Sequence, residues 1–175
     1  MSVDSSVVID FHLTGSLLLL EELFTGRMLM SDLVEEELAM SKMKVLGAEV
    51  VILTQDAEWA FFGEVKRNKP GLGYGELGAI TVAKFRRASL LTNDRQARQT
   101  AEELGIPVSG AIGVLEHAVE ANRISARNAV TLLEDMVRQG AWISDDLLEV
   151  FRRKMIDAAR EGESVLSQES PSSPP

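Results

Sequence analysis

Short apolar runs alternate along this chain with longer segments of helical periodicity, and that alternation constrains the fold more than any other feature. VVID (7–10) reads as a first strand, and it ends on the carboxylate of Asp10. MLM (28–30), AEVVILTQ (48–55), SLLT (89–92) and IPVSG (106–110) read as further strands. Between and after them lie the helical segments 16–24, 32–44, 76–88, 95–105, 111–125, 126–144 and 145–161. Ser31 or Asp32 stands at the start of the second as an N-cap, with acids in the first turn. GEVKRNKPGLGYGE (63–76) reads as a glycine-rich loop. Strands that return across a helix pair in parallel, with helices covering both faces of the sheet. The expected fold is α/β: a three-layer sandwich with a mostly parallel central β-sheet flanked by helices.

With 175 residues the chain supports one domain, expected over 1–160, followed by a polar, proline-rich, disordered tail at 161–175. It has no cysteine, which excludes disulfides, zinc–thiolate sites and thiol nucleophiles. No apolar run approaches the roughly 18 residues that span a membrane, and MSVDSS lacks the basic region of a signal peptide, so a cytoplasmic protein is expected. A net charge of −9 argues against broad nonspecific binding to nucleic acid but suits a site that gathers carboxylates around a cation.

The acids fall at informative places. Asp10 and Asp94 stand at the ends of expected strands, Glu76 opens a helix after the glycine loop, and Glu35, Glu36 and Glu37 lie in the turns after the second strand. In a parallel sheet such positions converge on the carboxyl rim. Carboxylates gathered there repel one another unless a hard cation, Mg²⁺ or Mn²⁺, sits between them. Each also has a plainer reading: Asp10 and Asp94 as caps, Glu76 as a charge answering the helix dipole, Glu37 as one solvated acid among three. Lys66, Arg67 and Lys69, before the glycine loop, are candidate phosphate contacts; solvated charge is the alternative.

Four stretches resemble the prokaryotic branch of the PIN domain close to VapC-type toxins. These are VVID, SDLVEEEL, GYGELGAITVA and LLTNDRQAR, followed by similar C-terminal helices, over roughly 5–157. The resemblance implies a metal-dependent ribonuclease acting through Asp10, Glu37, Glu76 and Asp94, with Mg²⁺ or Mn²⁺ as cofactor. RNA would be the substrate, with Lys66, Arg67, Lys69 and Arg98 as contacts. It further implies the toxin of a toxin–antitoxin pair, a homodimer inhibited by its cognate antitoxin, with no membrane association.

The chain departs from the family's pattern in several places. Phe11 and His12 occupy positions where a small hydroxyl residue and then Ser or Asn are usual after the first acid. The connection from Asp10 to the second strand is a few residues short. Gly78 replaces a frequent second acid, and Ala111 a common threonine. These departures keep open a catalytically weakened or inactive binding protein on the same fold. A phosphatase with an aspartyl nucleophile ranks last, because His12 stands where it would need a second aspartate.

Overall fold

The computed structural model describes the backbone of residues 1–168 and the side chains of residues 1–160. Of the tail expected at 161–175, the backbone of 161–168 continues the last helix, and residues 169–175 lie outside the described residues.

Five strands form one parallel sheet: β1 (Ser2–Val3), β2 (Leu29–Ser31), β3 (Glu49–Val51), β4 (Leu90–Leu91) and β5 (Val108–Ser109). Their order is β3-β2-β1-β4-β5, with β1 at the centre, Ser2 opposite Leu29 on one side and Leu90 on the other. Among the described residues the helices are α1 (Ser5–Leu13), α2 (Leu17–Leu23), α3 (Asp32–Met40), α4 (Asp56–Asn68), α5 (Tyr74–Phe85), α6 (Arg95–Glu103), α7 (Ala111–Glu120), α8 (Ala126–Arg138) and α9 (Asp145–Gln168). The sheet reverses its winding direction at β1, so the crevice at the carboxyl ends of β1 and β4 is where such a sheet binds ligands.

The first strand is two residues long, and VVID is not part of it. Residues 7–10 are helical, in α1, and Asp10 sits in that helix rather than at a strand end. β-Branched residues lose only a few tenths of a kcal/mol each in a helix. That loss is outweighed here because Val7, Val8 and Phe11, at helical spacing, are all fully buried in the core. The residue that follows β1 is Asp4, in extended conformation at the N-cap of α1. The six-residue offset explains the apparent departures at Phe11 and His12: Ser5 and Ser6 are the hydroxyl residues after the strand-end acid, Phe11 is core, and His12 is exposed. It also restores the connection that looked short.

The segment 63–76 is a loop only between residues 69 and 73. Residues 63–68 complete α4, whose Phe62 and Val65 carry its buried stripe, and Gly63 costs only about 1 kcal/mol there. The fully buried Glu58 accepts hydrogen bonds from the N–H groups of Thr54 (3.0 Å) and Gln55 (3.1 Å) and pairs with Arg86 at 2.7 Å, anchoring α4 to the end of α5. Helix α5 runs through the middle of the core, with residues 77–83 buried. It approaches β2 and α3 closely because it is glycine there. A Cβ on Gly78 would collide with the Ser31 hydroxyl and one on Gly75 with the Glu37 carboxylate. Gly78 therefore stands where no acid would fit.

Candidate functional site at the carboxyl rim of the sheet

The chain leaves β1, β2, β4 and β5 on the same rim, and α1, α3, α6 and α7 start there. Asp4 is the most buried acid of the rim, with no exposed surface. Its Oδ2 accepts from the hydroxyls of Ser6 at 2.6 Å and Thr92 at 2.8 Å. Its Oδ1 is buried and has no hydrogen-bond partner among the described residues. Burial pushes the Asp4 carboxyl above its ordinary range, against the opposing pull of those hydroxyls and of the Ser5 and Ser6 backbone N–H groups.

Glu37 comes from α3, at the half-buried border of the stripe formed by Val34 and Leu38. Its two oxygens accept from the Ser5 hydroxyl at 2.9 Å and from the Gly75 N–H at 3.0 Å. Glu76, in the first turn of α5, accepts from the Gly73 N–H at 2.6 Å. Burial raises its pKa, and the charges of Asp94, Asp4 and Glu37 raise it further. Glu76 thus lies within electrostatic reach of the other three carboxylates. Asp94 caps α6, its Oδ1 accepting from the Ala97 N–H at 2.7 Å.

Asp10 lies beside this group rather than in it. Its Oδ2 accepts from the Asn93 side-chain amide at 2.6 Å, and burial raises its pKa. The same Asn93 accepts from the Ala111 N–H at 2.9 Å through its Oδ1, which orients the amide and ties the start of α7 to the rim. Ser6, Asp10, Glu76, Asn93, Asp94 and Trp142 line one open cleft of ≈ 630 Å³, so Asp10 shares solvent with two of the acids.

Asp4, Ser5, Ser6 and Thr92 escape the sequence reading. The signal was present as an acid followed by two hydroxyl residues. It was masked by the stronger apolar run VVI immediately after it.

The basic residues divide. Lys66 donates to the carbonyls of Pro70 (3.1 Å) and Leu72 (2.6 Å), and Lys69 pairs with Glu103 at 2.7 Å. Neither they nor Arg67 line the cleft; its cation is Arg95. Arg98 donates to the Thr92 carbonyl at 2.9 Å and lines an adjoining cleft of ≈ 400 Å³ that also contains Asn93 and Trp142.

A divalent cation wants several oxygen ligands. The donor chemistry of the rim is right for one, and the partnerless Asp4 Oδ1 is an oxygen that a cation would satisfy. Among the described residues, however, no group of three or more His, Cys, Asp or Glu side chains is gathered into a ready-made metal site. The acids hold apart on hydroxyls and backbone N–H groups instead.

The parallel sheet with strand order 3-2-1-4-5, its helical layers and its acid-lined rim define an α/β sandwich with an acidic crevice at its topological switch point. A family model described as a PIN domain matches residues 2–157, and the chain belongs to that family, whose members are generally nucleases. Among curated proteins and among solved structures nothing matches the chain. No helix among the described residues is long and apolar enough to cross a membrane.

Proposed function

We propose that the protein is a metal-dependent ribonuclease whose cation is held by Asp4, Glu37, Glu76 and Asp94. The observation that carries this reading is the convergence of four carboxylates on one rim, one of them with a buried, partnerless oxygen. Burying negative charge without compensation costs several kcal/mol, and a divalent cation removes that cost. Bound there, Mg²⁺ or Mn²⁺ would lower the pKa of a water and offset charge on the scissile phosphate.

The chain's own residues do the rest. Ser6 and Thr92 hold Asp4, and Ser5 and the Gly75 N–H hold Glu37, so a bound cation would have to draw these carboxylates together against those hydrogen bonds. Asp10 takes a place beside the substrate, positioned by Asn93, rather than the strand-end place that Asp4 fills. Arg95 and Arg98 are the phosphate contacts, ahead of Lys66, Arg67 and Lys69. The reading extends to the toxin of a toxin–antitoxin pair, a homodimer restrained by an antitoxin, on the strength of the four resembling stretches. The catalytically weakened or inactive alternative loses the support of Phe11 and His12, which lie away from the strand end, and keeps that of Gly78 and Ala111.

Calorimetric titration with Mn²⁺ and incubation with single-stranded RNA test the reading. The wild-type chain should bind Mn²⁺ and cleave RNA in an EDTA-sensitive manner, and Asp4→Asn should lose both. Cleavage that persists in EDTA, or Mn²⁺ affinity unchanged by Asp4→Asn, would overturn it.

A further inference from the structure

Trp142 lies on the connection between α8 and α9 and is 75% exposed. An indole is among the most costly side chains to leave in water, and its position here is built rather than incidental. Gly140, at φ +101°, turns the chain at the end of α8. Backbone bonds from Ala141 N–H to Met136 (2.9 Å) and from Ile143 N–H to Ala141 (2.9 Å) then pin the residues on both sides of the tryptophan. The indole borders two clefts at once, the acidic one that holds Asp10, Glu76 and Asp94 and the adjoining one that holds Arg98, with Asn93 common to both.

We propose that Trp142 is a stacking platform for one nucleobase of single-stranded RNA, seating that nucleotide at the junction between the carboxylate cleft and the Arg98 cleft. The proposal rests on the ribonuclease reading and deepens it by naming the form of the substrate. Every nucleobase offers a flat π-face to an indole, so such a platform tolerates sequence while demanding an unpaired strand. Flanking groups of opposite character suit it. The Arg98 guanidinium attracts one phosphate, and the acid rim repels phosphate until a cation is bound there. The nucleotide on Trp142 would thus set the register in which a neighbouring phosphate meets the rim. A protein segment packed on the same indole is the competing occupant, and the experiment separates the two.

Trp59 and Trp142 are the two tryptophans of the chain, so Trp59→Phe leaves Trp142 as the sole indole, excited selectively over Tyr74 at long wavelength. Trp59 lies outside both clefts. Emission of this variant would be followed during titration with a short mixed-sequence single-stranded RNA, in EDTA and again with Ca²⁺ replacing Mn²⁺, and with the corresponding duplex. Saturable quenching by the single strand, and much less by the duplex, is expected. Trp142→Ala should weaken binding of the single strand about 10-fold and raise KM for its cleavage more than it lowers kcat, whereas Trp142→Phe should restore most of both.

Wild-type chain that cleaves RNA with a KM indifferent to Trp142→Ala would sink the platform and leave the ribonuclease reading standing. Wild-type chain that neither binds nor cleaves RNA would sink both. Trp142→Phe as defective as Trp142→Ala would overturn stacking as the mode of contact. Acrylamide unable to reach Trp142 in the RNA-free protein would put a protein surface over the indole and overturn the proposal in favour of that occupant.

Discussion

Burial opposes the charge of Asp4 more strongly than its hydrogen bonds support it, and a proton or a bound cation would relieve that opposition. Its carboxyl is raised by burial above the ordinary value of 3.8, so the folded chain keeps this proton more tightly than the unfolded chain does. The stabilisation from that proton is fully present below about pH 3.8 and is lost as pH rises through the raised folded value. Asp4→Asn should therefore melt near the wild-type temperature around pH 4 and above it at pH 7 to 8 in EDTA, with Mn²⁺ raising the melting temperature of wild type alone. A variant that melts below wild type at pH 7 would mean that the carboxylate is already compensated. Asp94 separates its two roles by a different pair of substitutions. Asn caps a helix about as well as Asp, so Asp94→Asn should keep stability and lose activity, while Asp94→Ala should also lose about 1 kcal/mol in urea denaturation.

At the level of elements, α1 makes the sharpest prediction because the two readings of VVIDFH assign its residues opposite jobs. Phe11 is fully buried, and Phe11→Ala should cost about 3–5 kcal/mol, a large part of a domain's stability. His12→Ser should change neither melting temperature nor RNA cleavage, since His12 is exposed. The parallel sheet was legible in the alternation of apolar runs and helices, and α3 announced itself through Ser31, whose hydroxyl accepts from the Val34 N–H at 3.2 Å. The start of the chain was not legible for a definite reason. A two-residue strand at the sheet centre gets its hydrogen bonds from β2 and β4, so its own sequence needs no length or alternation, while β-branched residues packed on a helix imitate a strand. Likewise the glycines and lysines of 63–76 suggested one loop, although the buried spacing of Glu58, Phe62 and Val65 had already committed the first part to α4. Glu76 and Asp94 could be read as rim residues because each sits at a helix start, whereas only the family resemblance separated Glu37 from Glu35 and Glu36. Asp4 could not, because its strand was invisible.

For the whole molecule, the balance of charge sets how RNA is gripped. A chain of net charge −9 repels a polyanion at long range, so affinity must come from a few local contacts and from stacking. Arg95 and Arg98 border the two clefts, whereas Lys69 is neutralised by Glu103 and Lys66 is committed to two carbonyls. Each phosphate neutralised on a single strand contributes about −0.7 to the slope of log affinity against log salt, so two contacts give a slope of about −1.4. Arg98→Ala should flatten that slope by about 0.7, and Lys69→Ala should leave it unchanged. A wild-type slope approaching −3.5, about what five phosphate contacts give, would restore Lys66, Arg67 and Lys69 to the RNA path and move the strand toward the α4–α5 loop. The shallow slope, if measured, ties the levels together. On the proposed reading, a molecule that cannot hold RNA by general charge would hold it by one aromatic surface, two guanidinium groups and a cation, at the two clefts beside the ends of β1 and β4.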